Sequence, residues 1–329
     1  MVQQCPADVQ IVDRGRVRTV KIRGRFREHG RLRYHGTSFE TFYSRQLVEM
    51  LLAVKGKEWL KDEIDRSEDP GYLQMNFKTW LGRFFDLTDQ YVLDFGCGCG
   101  ASSIVLARLG AYVVGVDPSL ASLYAAHQRV RECGLLDRVM FFHVRDTARL
   151  PFVSGSFSSV VCYHVLEHVA PSDRPRYLRE MWRMLRRKGY LFVAAPNRLW
   201  PVEFHTTGLW WVPYMPLHWA IRYSKCRGRI ASDTTSEELL ARGMRGVSYW
   251  EIVNAIKDAH AVELNRDVGD DLDSYFAVSM GKRQRHRCRV MKNLIKLLYR
   301  GFDILLWRPL SLPSGAFLPY VIVCLQKAA

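Results

Sequence analysis

Tyr91-Val92-Leu93-Asp94-Phe95-Gly96-Cys97-Gly98-Cys99-Gly100, continued through Ala101 to Leu109, Gly110 and Tyr112-Val113-Val114-Gly115-Val116-Asp117, reads as strand, glycine turn, helix, strand and carboxylate. The alternating glycines let backbone amides approach a ligand closely. Gly110 ends the helix, and Tyr112 to Val116 has the apolar make-up of a buried strand. This is the pattern of a nucleotide-binding βαβ unit. Gly96, Gly98 and Ala101 also satisfy the loose dinucleotide fingerprint, with Asp117 at a tolerable distance for a ribose carboxylate. Asp94 weighs against a pyrophosphate, which would meet a like charge two residues before the first glycine. It favours a ligand that brings positive charge.

The run Asp94-x-Gly96-x-Gly98-x-Gly100, followed by Val113-Val114-Gly115-Val116-Asp117-Pro118-Ser119, resembles the first two motifs of class I S-adenosylmethionine-dependent methyltransferases. That donor carries an ammonium and a sulfonium and no phosphate. Further along, Ser119 is a plausible cap for a helix to about Cys133, and Val139 to Val144 is a third strand. Phe157-Ser158-Ser159-Val160 leads into a fourth strand ending near His164, then Val165-Leu166-Glu167-His168-Val169. A helix is expected from about Arg174 to Arg186, with Arg186-Arg187-Lys188 suiting its C-terminal dipole and Gly189 its end, before a fifth strand at Tyr190 to Ala195. This segment is similar to a large branch of small-molecule methyltransferases, and the resemblance covers residues 90 to 200.

The resemblance implies a doubly wound, Rossmann-like α/β fold whose seven-stranded sheet has an antiparallel last strand, here Pro319 to Lys327 with Tyr320-Val321-Ile322-Val323-Cys324-Leu325. It assigns Asp94, Gly96, Cys97, Gly98 and Gly100 to the methionine end of S-adenosylmethionine, and Asp117, with Pro118 beside it, to the ribose. Asp146 and Thr147 fall to the adenine, and His164 to the same pocket. Taken alone, Asp146 also reads as the cap of a turn.

The chain of 329 residues is 48% hydrophobic and 25% charged. That suits one α/β core of roughly 200 residues with additions at both ends. The expected division is a basic arm and helical cap at 1–88, the donor-binding core at 89–200, an inserted lid at 201–247, and the rest of the core at 248–329. Asp13 to Arg33 holds nine Arg or Lys against two acids. Its partial alternation predicts a strand pair or extended arm, and its charge admits either a solvated edge or a nucleic-acid contact. Helices are expected at Phe39 to Val54 and Tyr72 to Phe85. The run from Leu209 to Trp219, with three Trp and two Pro, is too proline-rich for regular structure and reads as a substrate wall. A helix at Ser248 to Ala259 and a strand at Ala261 to Val268 follow. Lys282 to Arg300 contains eight Lys or Arg, opposite an apolar face of Met291, Leu294, Ile295, Leu298, Phe302 and Leu305. This amphipathic insertion, at about 285–308, fits packing on the core or rest on an anionic membrane surface.

The formal charge of +15 is compatible with nucleic acid, membrane or acidic partners. Eight cysteines without finger spacing fit a reduced, cytoplasmic compartment, peripheral to the inner membrane face if the amphipathic helix docks there. No apolar run reaches the roughly 20 residues of a membrane span, and no signal peptide is evident. The reaction implied by the resemblance is in-line methyl transfer, expected to oxygen on a small or lipid-linked acceptor and releasing S-adenosylhomocysteine. His164, His168 and His205 are the candidate bases, His205 and His168 foremost, with Glu167 and Glu203 as partners. No metal is expected, because adjacent Glu167 and His168 on a strand would point to opposite faces. Two other readings remain: an RNA methyltransferase using the basic arm, and a non-catalytic protein that binds the donor.

Overall fold

The computed structural model of the protein describes residues 7–28, 31–256, 261–266 and 286–328. Gly30 of the arm, the helix end at 257–259, the strand end at 267–268 and the basic run 282–285 lie outside them. By its internal contacts the chain divides into one unit of residues 1–77 with 86–150, and a second of residues 78–85 with 151–329.

In the first unit, the basic arm is a set of antiparallel strands. β1 (Val9–Arg14), β2 (Val17–Ile22) and β5 (Thr37–Thr41) form a three-stranded sheet, while β3 (Phe26–Glu28) and β4 (Arg31–Arg33) make a hairpin. Val20 and Ile22 bury one face of β2 against α1 (Arg45–Lys55) and α2 (Lys57–Glu68), so strand alternation and a helical stripe share one core. The helix expected from Phe39 therefore starts late: Phe39 to Thr41 are extended, and Ser44 caps α1 by accepting the Leu47 amide at 3.1 Å. After α3 (Met75–Trp80), the nucleotide-binding motif folds as expected. β6 (Tyr91–Phe95) runs parallel to β7 (Tyr112–Asp117), joined by α4 (Ala101–Arg108), and α5 (Leu120–Glu132) returns the chain to β8 (Val139–His143). Ser119 caps α5, its hydroxyl accepting the Ser122 amide.

The second unit begins its sheet with β9 (Phe157–Tyr163), all but its last residue buried. α6 (Arg174–Met184) ends two residues earlier than the sequence predicts, because Leu185 already belongs to β10 (Leu185–Pro196). Arg186 to Lys188 thus stand in a bulge between Leu185 and Tyr190 rather than on a helix end. Gly189 serves close packing there: a Cβ would stand 3.0 Å from the Ser158 carbonyl oxygen. Residues 201–247 contain the two-residue strands β11 (Val202–Glu203) and β12 (Leu209–Trp210), then α7 (Leu217–Cys226) and α8 (Ser236–Ala241). They have their own small core of Leu209, Val212, Ala220, Leu239 and Met244. α9 (Tyr249–Ile256), β13 (Ala261–Glu263), the amphipathic α10 (His286–Phe302) and β14 (Tyr320–Lys327) complete the chain.

The seven-stranded sheet has the order β13-β14-β10-β9-β6-β7-β8. β14 is antiparallel to both β10 and β13, which is the expected reversal of the last strand. Among the described residues, no helix is long and apolar enough to cross a membrane.

Candidate active site

In the first unit, β6 delivers Asp94 to the start of the glycine turn, opposite Gly115 of β7. The turn needs left-handed backbone at Gly96, Gly98 and Gly100, which glycine adopts without a Cβ penalty. Asp94 is 1% exposed, and one carboxylate oxygen accepts the hydroxyls of Ser102 and Ser103, both at 2.6 Å. Burial is the main force pushing its carboxyl up to about 6. The serines oppose that shift and the nearby Asp117 charge reinforces it. At the end of β7, Asp117 accepts the Gly98 amide at 2.9 Å on one oxygen and the Ser119 amide at 2.8 Å on the other. A carboxylate offers about four lone-pair positions, so two remain for a diol.

Among the described residues, neither carboxylate has a cationic partner within the unit. Two buried carboxylates beside a glycine turn fit a ligand with an ammonium and vicinal hydroxyls, as S-adenosylmethionine has. A pyrophosphate would be repelled. Cys97 is buried beneath the turn, and burial, more than the neighbouring acids, raises its thiol well above the usual range. Pro118 stays exposed beside the acid, its carbonyl 3.1 Å from His143 Nε2. Asp146 does cap a turn, accepting the Ala148 amide at 3.1 Å, while its exposed position after β8 leaves it accessible; Thr147 is buried.

Two further residues of this unit escape the linear reading. Lys55, on the last turn of α1, brings its Nζ within 3.5 Å of where a Cβ on Gly98 would stand, so a cation faces the glycine turn. Arg129 of α5 is fully buried and donates to the Cys99 carbonyl at 3.0 Å and to the Glu63 carboxylate at 2.6 Å. It ties the turn to α2. Burial alone would raise the Glu63 carboxyl, but Lys55 and Arg129 together hold it below its ordinary value.

In the second unit, His164 follows β9 with φ +58°, and Leu166–His168 form a single 3-10 turn instead of continuing the strand. That turn swings Glu167 back, and His164 Nδ1 lies 3.0 Å from Glu167 Oε1. His205, from the turn joining β11 to β12, enters the same cluster: its ring lies 6.2 Å from that of His164 and 5.3 Å from that of His168. Burial would raise the fully enclosed Glu167 carboxyl, yet His164 first, then His168 and His205, bring it down to about 2. Glu203 stands apart, spent on its own turn: it accepts the Thr206 amide at 2.8 Å and the Thr207 hydroxyl at 2.7 Å. Burial raises its carboxyl against those bonds. Of the two expected carboxylate partners, the fold sets Glu167 against the histidines and Glu203 on its own turn.

The basic arm is partly neutralised within its own unit. Arg18 meets Asp13 at 3.5 Å, Arg25 meets Glu58 at 3.2 Å and Arg33 meets Glu28 at 3.5 Å.

Residues 93–193 match the family model described as a methyltransferase domain. Methyltransferase GfsG of Streptomyces halstedii is 41% identical over 104 residues, which is 31% of this chain and 36% of that protein. The ubiquinone biosynthesis O-methyltransferase of Paracidovorax citrulli is 32% identical over 119 residues, 36% of this chain and 49% of that one. The chain thus spans between about a third and a half of the length of these relatives. Among solved structures, geranyl diphosphate C-methyltransferase from Streptomyces coelicolor A3(2) superposes with a TM-score of 0.44 at 17% identity, over 87% of this chain and 85% of that one. Residues 93–193, which carry the glycine turn, therefore form a methyltransferase domain, of the kind that the class I S-adenosylmethionine-dependent methyltransferases have.

Proposed function

We propose that the chain transfers the methyl group of S-adenosylmethionine to an oxygen of a small or lipid-linked acceptor. The observation that carries this reading is the pair of buried carboxylates, Asp94 and Asp117, which have no cationic partner among the described residues of their unit, at either end of the glycine turn. Asp117 would hold the ribose hydroxyls, Asp94 and the turn the methionine end, and Asp146 with Thr147 the adenine. When bound, the donor supplies an electrophilic methyl already activated by the sulfonium charge. The chain's own work is to align an acceptor oxygen with that methyl, exclude water and take the acceptor's proton.

His205 and His168 are the groups suited to the proton. Both are imidazoles beside the Glu167 carboxylate, which stabilises the protonated ring once the proton arrives. The ubiquinone-pathway relative, an O-methyltransferase by name, supports oxygen as the acceptor atom. A hydrophobic or lipid-linked acceptor is supported by the second unit's surface. Leu297, Leu305 and Leu310 are 68%, 80% and 59% exposed there, alongside the basic Arg300 and Arg308. Trp210, Trp211 and Trp219 are exposed on the lid.

Calorimetric titration with S-adenosylmethionine and S-adenosylhomocysteine, with NAD as control, tests the reading. Both sulfur compounds bind the wild-type chain, and Asp117→Ala weakens them at least tenfold. Binding of NAD alone would overturn the donor assignment. Absence of any binding would favour a protein that has lost the reaction.

A further inference from the structure

We propose that His164, Glu167 and His205 form a binding site for a first-row divalent transition-metal ion, zinc being the expected occupant. One ligand atom from each of the three lies within 4.8 Å of the others. The residues come from two separate turns, so no local spacing produced the cluster: His164 precedes and Glu167 lies within the 3-10 turn after β9, and His205 sits between β11 and β12.

The geometry is that of a site slightly expanded. Ligand atoms about 2.1 Å from a common ion stand roughly 3.0 Å apart at a right angle and about 3.4 Å apart at a tetrahedral one. His164 Nδ1 and Glu167 Oε1 already meet the first value at 3.0 Å. A hydrogen-bonded His–Glu dyad would account for that contact alone. It leaves Glu167 Oε2, buried, without a donor among the described residues. Burying a carboxylate oxygen unsatisfied is costly, and a bound cation removes the cost.

The surroundings hold the three ligands in place. Gly243, at φ +80°, lies so close that a Cβ there would stand 2.7 Å from Glu167 Cγ and 3.2 Å from His205 Cδ2. Only glycine lets the backbone seal this side of the cluster. Two imidazoles and one carboxylate suit zinc, manganese, iron or cobalt, whereas magnesium and calcium prefer sites made of oxygens alone. Three protein ligands leave positions open, and a hydroxyl bound there loses its proton more readily. With His205 taken up as a ligand, His168, exposed and outside the three with its ring 5.3 Å from that of His205, is left as the base for that proton. This chemical consequence rests on the methyltransferase reading, but the ion site does not.

The test is titration of chelator-treated protein with Co2+, followed by visible absorption and elemental analysis. Competition with Zn2+ and calorimetry with S-adenosylmethionine are run on the same samples. One equivalent is expected, displaced by Zn2+, without the sulfur-to-cobalt band that cysteine ligation would give. His164→Ala and His205→Ala weaken it by about a hundredfold or more, and His218→Ala, on the exposed face of the lid, does not. Should Glu167→Gln fail to fold, the partly buried His205 carries the test. Failure of Co2+ to bind, a cysteine-type spectrum, or binding unchanged in both histidine variants would overturn the site. Donor binding in the same samples reports separately on the methyltransferase reading.

Discussion

The Asp94 and Asp117 carboxylates repel each other at the mouth of the glycine turn, and burial with that repulsion leaves Asp94 with a carboxyl at about 6. Its ordinary value is 3.8, so between roughly pH 4 and pH 6 the folded chain holds a proton that the unfolded chain has lost. Stability from this group is therefore complete below about pH 4 and declines as the pH rises through 6. A cationic donor needs the ionised form, so its affinity moves in the opposite sense. We expect S-adenosylmethionine binding to weaken as the pH falls below 6, tending towards tenfold per unit. Asp94→Asn should unfold at a higher temperature than wild type at pH 8 while binding the donor poorly. Calorimetry and thermal melts at pH 5 and pH 8 check both halves, and equal melting temperatures at pH 8 would refute the stability half.

Lys55 faces the glycine turn while lying 3.9 Å from Glu63, so its charge is shared rather than spent. The methionine carboxylate of the donor is the natural partner for that charge. Lys55→Met should weaken S-adenosylmethionine binding by about ten- to a hundredfold, the worth of a hydrogen bond to a charged group. Methylthioadenosine, which lacks the amino-acid end, should bind the variant as well as wild type. Equal losses for both compounds would show that the lysine acts through the fold and not on the carboxylate.

Arg129 and Glu63 form a buried ion pair, and Arg129 also holds the Glu63 and Cys99 carbonyls. Removing one partner strands the other charge in the core. Arg129→Met should therefore cost about 3–5 kcal/mol of stability. Urea unfolding measures this, and a loss under about 1 kcal/mol would mean that the pair is dispensable.

The β6–α4–β7 unit was legible in the sequence because every signal in it is local: strand composition, glycines that need left-handed backbone, and a carboxylate at the strand end. The reversed last strand was legible for a similar reason, since Tyr320 to Leu325 is an unbroken apolar run. The end of α6 was not. Arg186 to Lys188 suit a helix terminus by charge, but the pairing of Leu185 with Phe157 draws the chain into the sheet first. The histidine cluster was only half legible. Its members were candidates, but residues 165–169 read as the end of a strand put Glu167 and His168 on opposite faces, and only the 3-10 turn with its positive φ at His164 brings Glu167 round to His164. Lys55 and Arg129 meet the glycine turn through tertiary packing alone, so no sequence spacing announces them.

The placement of β14 between β10 and β13 bears on how the chain is made. During synthesis β10 emerges about 120 residues before its partner β14. At roughly 5–20 residues per second, the apolar edge of β10 waits on the order of ten seconds for the strand that covers it. Throughout that interval the nascent polypeptide presents an open strand to its neighbours on the polysome, which makes this half of the sheet the natural client of a holding chaperone.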